Sequence, residues 1–107
     1  MSKPYAKQKI IKDLTTDDLK VQITGYIENK DRNDLILNDK TGRIRVNYED
    51  AVGYVENIQK KDLVNIIGEL NIDMDGEKSI KAQIIQDMKN LNFEYYKKLY
   101  KIKKEIE

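Results

Sequence analysis

The chain has 107 residues, of which 36% are charged and 39% hydrophobic, a balance that suits one small folded domain and is too apolar for a disordered chain. It contains no cysteine and no histidine, which excludes disulfides, thiolate nucleophiles, sulfur-ligated metals and imidazole bases, so we expect no enzyme, no metal and no cofactor. Charge is unevenly spread: residues 1–12 carry four basic residues and no acid, residues 13–90 carry 11 basic against 16 acidic residues, and residues 91–107 carry five against three.

Residues 1–18 are expected to form an N-terminal arm and tether. They hold the only proline, Pro4, and a short apolar segment at 10–14 that is followed by a turn-like run of threonines and aspartates. From residue 19, apolar and polar side chains alternate with the period of two that marks a strand with one buried face. The positions of the buried face are Leu19, Val21, Ile23, Gly25 and Ile27.

Two short strands are predicted next. Leu35 and Leu37 mark the second strand, which ends at Asn38, and residues 39–42 form a tight turn in which Gly42 is suited to a positive φ. The third strand, residues 43–48, alternates in the same way. Its apolar positions are Ile44, Val46 and Tyr48.

A helix is predicted between the third and fourth strands. Asp50 can cap it, and Ala51, Val55 and Ile58 are spaced four and three apart. Residues 63–70 and 79–85 then alternate as the fourth and fifth strands. They form a hairpin whose turn is marked by an Asp-Gly pair at 75–76.

A C-terminal amphipathic helix is predicted over residues 91–107, with Asn90 or Asn92 as its cap. Its apolar stripe runs for about 22 Å at 1.5 Å per residue, which is longer than one end of a small barrel needs. Because exposed apolar side chains forgo the free energy of burial, we expect a protein partner or a second copy to cover it. The predicted partner-binding residues are Leu91, Tyr95, Leu99, Ile102 and Ile106.

Three strands, a helix and two strands is the order of the oligonucleotide-binding (OB) barrel. The predicted fold class is therefore all-β: a five-stranded OB barrel with a helix between strands three and four and a C-terminal amphipathic helix. We divide the chain into residues 1–18, the arm and tether; 19–90, the OB barrel; and 91–107, the assembly helix. Two motifs narrow the family: Val64-x-Ile66-x-Gly68-x-Leu70, and Ile80-x-Ala82-x-Ile84 followed by Met88, Leu91-Asn92 and Tyr95-Tyr96.

These motifs resemble the middle subunit of replication protein A and its telomere-capping relatives. The resemblance implies a barrel that binds single-stranded DNA weakly or together with other barrels, and a C-terminal helix that packs with helices of sister subunits. We therefore expect a non-enzymatic OB-fold subunit of a single-stranded-DNA-binding complex in replication, recombination or repair. It is expected in the cytoplasm (nucleoid) or the nucleus, since the sequence has neither an apolar run of spanning length nor a secretory signal.

The ligand face of an OB barrel lies across its second and third strands. The residues predicted to point outward there, where arginine meets phosphate and tyrosine stacks on a base, are Tyr26, Ile36, Arg43, Arg45 and Asn47. Lys30 and Arg32 in the first loop are predicted to rim the groove together with Lys78 and Lys81 near the last hairpin, in the usual loop positions. The alternative is that these basic side chains pair with surface acids.

Two other functions stay open. The barrel could be purely a protein-interaction module, for example an accessory subunit of a DNA polymerase holoenzyme that does not itself bind nucleic acid, or it could bind transfer RNA. The segment 73–77 superficially resembles a calcium loop but lacks the twelve-residue spacing of such a site, so we expect no metal there. No membrane contact is expected.

Overall fold

The structure is a computed structural model that describes residues 7–89 and 93–106. Within these residues the chain forms seven strands, one 3-10 helix and one α-helix. The elements are β1 (Lys7–Gln8), a 3-10 helix (Ile11–Asp13), β2 (Lys20–Lys30), β3 (Asp34–Asn38), β4 (Arg43–Asn47), β5 (Val52–Gly53), β6 (Leu63–Ile72), β7 (Lys78–Asp87) and α1 (Phe93–Ile106).

Five of the strands close into a barrel. β2 pairs antiparallel with both β3 and β6, β3 pairs with β4, and β6 pairs with β7. A parallel pairing of β4 with β7, in which Val46 lies opposite Ile80, closes the ring. The predicted five-stranded OB barrel is therefore confirmed, as a mixed barrel of β2, β3, β4, β6 and β7.

The barrel is filled by aliphatic side chains. Because successive residues of a strand point to opposite faces, the alternation read from the sequence sends every second residue inward. The buried cluster contains Leu14, Val21, Ile23, Ile27, Leu35, Leu37, Ile44, Val46, Ile58, Val64, Ile66, Ile80, Ala82 and Ile85.

Residues 7–18, expected as part of an arm and tether, are packed onto the barrel. β1 pairs in parallel with the start of β2, with Lys7 opposite Val21. Leu14 is buried in the core, and Asp18 is buried while its carboxylate accepts a hydrogen bond from the backbone N–H of Thr15 at 2.9 Å. Ordered structure therefore begins well before residue 19.

The predicted helix between strands three and four does not form. Residues 50–61 instead make turns around β5, which pairs in parallel with β7 so that Val52 lies opposite Ile84. Gly53 has a φ of +100°, and a Cβ there would lie 2.3 Å from the carbonyl oxygen of Ile85. The next backbone N–H, that of Tyr54, donates to the same oxygen at 2.8 Å. Backbone hydrogen bonds to the edge of β7 thus replace those of the helix that the apolar spacing predicted.

The turn between β3 and β4 is organised by a buried carboxylate. Asp39, only 1% exposed, accepts hydrogen bonds from the backbone N–H groups of Ile11 at 2.7 Å, Thr41 at 2.9 Å and Gly42 at 3.2 Å. The positive φ predicted for Gly42 occurs at Lys40 instead. Gly42 is needed for space, because a Cβ there would lie 2.9 Å from Cγ2 of Ile11. One carboxylate therefore fixes the 3-10 helix against the turn.

Candidate nucleic-acid interface

An open groove of about 690 Å³ crosses the outer face of β2, β3 and β4. Its lining combines apolar side chains with four cations and two acids. The lining residues are Ile11, Glu28, Asn29, Ile36, Arg43, Ile44, Arg45, Lys60, Glu77 and Lys78.

Strand register brings the middle of this groove together. Asn29 lies opposite Ile36, and Ile36 lies opposite Arg45, so the three form one row across three strands. The register of β2 shifts between Ile27 and Asn29, and this β-bulge gives the strand an extra residue, Glu28. The predicted residues Ile36, Arg43 and Arg45 thus share one surface, beside a carboxylate that the bulge adds.

The arginines of the groove differ in their partners. Arg43 forms an ion pair with Glu28, with 2.9 Å between its guanidinium nitrogen and Oε1. Arg45 is exposed and makes no ion pair with any residue in 7–89 or 93–106. Arg43 therefore pairs with a surface acid, as the alternative prediction had it, whereas the charge of Arg45 remains available to a ligand.

The lysines at the groove also differ. Nζ of Lys78 donates to the carbonyl oxygen of Leu14 at 2.9 Å, which holds the chain of Lys78 at the edge of the groove. Lys60, also in the lining, is exposed. Lys81 lies outside the groove and pairs with Asp50 at 3.6 Å.

Tyr26 is placed away from the groove lining. It lies in the row that contains Asn38 and Arg43, but its ring is half-buried against Phe93 of α1, with 5.1 Å between ring centroids in an edge-to-face arrangement. The ammonium group of Lys40 lies 5.6 Å from the Tyr26 ring. The ring thus anchors the helix to the barrel.

The other three predicted contact residues are also outside the lining. The side-chain amide of Asn47 donates to Asp34 at 3.1 Å, and Nζ of Lys30 donates to the carbonyl oxygen of Ile58 at 2.6 Å. Arg32 is exposed in the loop between β2 and β3. The side chains of Asn47 and Lys30 thus form intramolecular hydrogen bonds, and Arg32 does not line the groove.

The helix α1 has two contrasting faces. Tyr95, Leu99 and Ile102, spaced four and three apart, are 60%, 49% and 53% exposed. On the other face Phe93 is buried on Tyr26, and Nζ of Lys104 lies 2.6 Å from the carboxylate of Asp13. The apolar stripe therefore points away from the barrel. Of the remaining predicted partner residues, Leu91 and the side chain of Ile106 lie outside the described part of the structure, as do the proposed caps Asn90 and Asn92.

Asp13 links the 3-10 helix to α1. Its carboxylate accepts a hydrogen bond from the Tyr100 hydroxyl at 3.2 Å as well as from Lys104. The hydrogen bond from Lys104 is the main reason that the pKa of Asp13 lies below its ordinary value. The charged form of Asp13 is therefore favoured by docking of α1.

The loop that superficially resembled a calcium site is satisfied internally. The Asp73 side chain accepts hydrogen bonds from the backbone N–H groups of Asp75 and Glu77, both at 2.9 Å. Across residues 7–89 and 93–106, no three acidic side chains converge as metal ligands would. The carboxylate spacing of residues 73–77 is thus that of a turn. In the same residues no helix has the length and apolarity to cross a membrane.

Sequence reasoning missed part of the lining. Lys60 was expected in a helix, and Ile11 in a tether, so neither was predicted to reach the ligand face. Glu28 was expected on a regular strand, where no sign of the bulge is visible. The local sequence pattern gives no signal for these three residues, because it is the tertiary structure that brings each of them to the groove.

Comparison with known structures shows the same fold over nearly the whole chain. A chain of the Stn1–Ten1 complex from S. pombe aligns with a TM-score of 0.71 and 16% identity, covering 99% of this chain and 98% of that one. The telomere capping protein Ten1, also from S. pombe, aligns with a TM-score of 0.65 and 17% identity, covering 94% of this chain and 99% of that one.

A replication protein A heterotrimer bound to single-stranded DNA contains a chain that aligns with a TM-score of 0.56 and 19% identity; the alignment covers 65% of this chain and 57% of that one. The hypothetical protein ygiW from E. coli aligns with a TM-score of 0.60 and 22% identity, covering 81% of this chain and 100% of that one. The likeness to replication protein A and telomere-capping proteins that the sequence predicted is thereby confirmed, as a likeness of fold. No curated protein sequence matches the chain. Residues 6–87 match the family described as Bacterial OB fold (BOF) protein, and the chain belongs to that family.

Proposed function

We propose that this chain is a non-enzymatic subunit of a single-stranded-DNA-binding complex in replication, recombination or repair, and that it assembles through α1. The observation that carries the proposal is the groove on β2–β4, where Arg45 lies beside the apolar side chain of Ile36 and Lys60 adds a second exposed cation to the lining. Such a groove suits a phosphate backbone with bases resting on the apolar side chain. The replication protein A heterotrimer that contains a chain of this fold is bound to single-stranded DNA, which supports the choice of ligand. On this proposal the protein works with DNA in the cytoplasm (nucleoid) or the nucleus.

Binding by this groove should be weak. Glu28 already neutralises Arg43, and Glu77 adds a second negative charge to the lining. The lining residues include no aromatic ring, so the stacking that contributes about 1–3 kcal/mol per base in other single-strand binders is not supplied there. We expect an affinity that depends on few phosphate contacts and therefore a shallow dependence on salt.

Charge reversal at Arg45 tests the DNA contact. Fluorescence anisotropy of a labelled oligonucleotide at low salt should show binding by the wild type and loss of most of it in Arg45→Glu. Lys89→Glu is the matched control, because Lys89 is exposed and lies outside the groove. Equal binding by the two variants would contradict the proposed contact, and absence of wild-type binding, with and without a partner, would remove DNA binding altogether.

The apolar stripe of α1 supports assembly. Tyr95, Leu99 and Ile102 are each about half exposed, so burial of the remaining surface by a partner would contribute roughly 1 kcal/mol for each. Light scattering should show self-association or capture of a partner by the wild type and its loss in a Leu99→Asp/Ile102→Asp variant. Met74→Asp, which changes a fully exposed apolar residue outside the helix, should retain it. Unchanged mass and capture in the helix variant would count against assembly through α1.

A second candidate function is a protein-interaction accessory subunit, for example of a DNA polymerase holoenzyme, that does not bind nucleic acid. The observation in its favour is the groove itself, where Glu28 is already engaged by Arg43 and stacking rings are missing from the lining. The two candidates are separated by the same variants. An accessory subunit would lose partner capture in the Leu99→Asp/Ile102→Asp variant. It would bind no oligonucleotide, either as wild type or as Arg45→Glu.

A further inference from the structure

A second concavity lies between α1, the 3-10 helix and the β3–β4 turn. It encloses about 510 Å³ and is lined by Ile10, Lys12, Asp13, Thr41, Lys97, Tyr100, Lys101 and Lys104. We call it the lysine cleft, after Lys12, Lys97, Lys101 and Lys104. Its cations come from two elements that are far apart in sequence and meet only in the folded chain.

The cleft carries an excess of positive charge. Its one acidic lining residue, Asp13, is occupied by Lys104 at 2.6 Å and by the hydroxyl of Tyr100 at 3.2 Å. Lys12, Lys97 and Lys101 make no ion pair with any residue that the structure describes. The four lysines of the lining thus outnumber its single acid by three, which favours an anionic ligand with several charges.

The lysine cleft begins where the barrel groove ends. Ile11 lines the groove, whereas its neighbours Ile10 and Lys12 line the cleft, so the 3-10 helix forms the wall between the two. The β3–β4 turn also borders both sites: Thr41 in the turn lines the cleft, and Arg43 at the start of β4 lines the groove. One strand can therefore pass from the groove into the cleft without leaving the surface.

The wall between groove and cleft is fixed before any ligand arrives. The backbone N–H of Ile11 donates to the buried carboxylate of Asp39 at 2.7 Å, and the backbone N–H of Lys12 donates to the hydroxyl of Thr41 at 3.2 Å. Lys12 therefore projects from a fixed wall, and a charged side chain on a fixed wall binds an anion with less loss of conformational entropy than one on a flexible loop.

We propose that the lysine cleft binds the phosphate backbone of a nucleic-acid strand that leaves the barrel groove, so that the binding surface extends onto α1. The inference rests on the proposed function and adds a second segment to its site. Lysine ammonium groups meet phosphates as point charges, and the hydroxyl of Tyr100 is directed at Asp13, so the cleft holds backbone and does not read bases. The helix then serves DNA with one face and assembly with the other.

The test compares three neutralised lysines in the cleft with three elsewhere. The cleft variant is Lys12→Gln/Lys97→Gln/Lys101→Gln, and its control is Lys20→Gln/Lys89→Gln/Lys98→Gln, whose residues line neither the groove nor the cleft. Glutamine keeps the helix propensity of lysine, and equal circular dichroism spectra and melting temperatures would establish that both variants are folded. Binding is measured by anisotropy against salt, with strands of about 4 and about 16 nucleotides, the range of sites of single OB folds.

We expect the cleft variant to differ from wild type on the long strand only. Three lost phosphate contacts should reduce the slope of log K against log salt by about 2, so that between about 50 and 200 mM salt the wild type loses about 20-fold more affinity than the variant. The short strand occupies the groove alone and should bind both proteins equally.

Failure of the inference and failure of the proposed function give different results. If the wild type binds both strands but the cleft variant keeps the wild-type slope, or loses no more than the control variant, the cleft is not a backbone site while the groove is unaffected. A cleft variant that loses as much on the short strand as on the long one also overturns it. If the wild type binds neither strand at low salt, the proposed function fails and the inference fails with it.

Discussion

The interior of the barrel and the contact between α1 and the barrel are built differently. The interior is a continuous aliphatic cluster in which Ile23, Ile66 and Val46 have no exposed surface, and strand pairing surrounds it on all sides. Among the described residues, the helix contact includes one buried ring, Phe93, which lies against Tyr26 and near the Lys40 ammonium group, and polar bonds to Asp13. Non-directional burial holds the barrel, whereas a few directional contacts hold the helix.

This difference teaches that folding and helix docking are energetically separate. Burial of an aliphatic side chain is worth about 1.5–3 kcal/mol and is repeated many times in the barrel, whereas an exposed ion pair is worth about 1 kcal/mol or less. The helix can therefore change its contacts when a partner or a strand binds, while the barrel keeps its shape. Four changes, taken from the largest expected effect to the smallest, test that separation.

Ile66→Ala should have the largest effect. Ile66 is fully buried, and removal of its side chain from a closed barrel leaves a cavity that costs about 2–5 kcal/mol of the free energy of unfolding. Urea denaturation followed by circular dichroism measures the loss. Leu19→Ala is the control: the prediction that Leu19 belongs to the buried face was wrong, because the strand begins at Lys20 and Leu19 is 74% exposed, so the change should alter the free energy by less than about 0.5 kcal/mol. Equal losses in the two variants would show that the barrel interior is not the main source of stability.

Asp39→Ala should cost about 2–3 kcal/mol, since it leaves the backbone N–H groups of Ile11, Thr41 and Gly42 without their acceptor. Asp39→Asn keeps one acceptor oxygen and should lose less. Thermal and urea unfolding measure both variants. If Asp39→Ala is as stable as wild type, the carboxylate does not hold the 3-10 helix against the turn.

Phe93→Ala should release α1 without unfolding the barrel. The ring of Phe93 is buried on Tyr26, and edge-to-face pairs contribute about 0.5–1.5 kcal/mol beyond burial. Hydrogen exchange should show loss of protection for residues 93–106 with little change in β2, β6 and β7, and Ile102→Ala, on the exposed face, should leave both patterns unchanged. Equal loss of protection in barrel and helix would show that they unfold as one unit.

Asp13→Asn should have the smallest effect and the clearest dependence on pH. Because the pKa of Asp13 is lowered in the folded chain, its charged form stabilises folding fully above the unfolded-state pKa, near 3.9, and that stabilisation is lost as the pH falls through the lower folded-state pKa. The variant should therefore be less stable than wild type at neutral pH by about 1 kcal/mol or less, and the difference should shrink as the pH is lowered into the acid range. Urea unfolding at neutral and acid pH, with Asp17→Asn as an exposed control, measures this; a difference that does not shrink in acid would contradict it.

The strands could be predicted from the sequence because each depends on a local signal. Alternation from Val21 to Ile27 and from Leu63 to Leu70 fixes which side chains face inward, and the chain has no other way to bury them. The helix predicted over 50–61 failed for the opposite reason. Its apolar spacing fits a helix, yet Ile58 reaches the core from an irregular segment and Gly53 pairs with the edge of β7.

The site could be predicted only in part. Strand alternation places Ile36 and Arg45 on the outer face, and the structure brings them side by side. It could not show that Tyr26 is covered by Phe93, because those residues are 67 positions apart and the contact depends on where α1 docks. The pairing of Asp13 with Lys104 is hidden in the same way. Neighbours across a sheet follow from period and register, whereas neighbours across a helix contact do not.

The parallel pairing of β4 with β7 has a consequence for the order of events in folding. β2 and β3 lie close in sequence and can pair early, but the ring cannot close until β7 is available, because two of its pairings, β2 with β6 and β4 with β7, join distant segments. Domains dominated by such non-local pairings fold in milliseconds to seconds, since the entropy of loop closure is lost before the contacts form. During synthesis, the chain up to β6 would therefore expose its aliphatic face until the last strand leaves the ribosome.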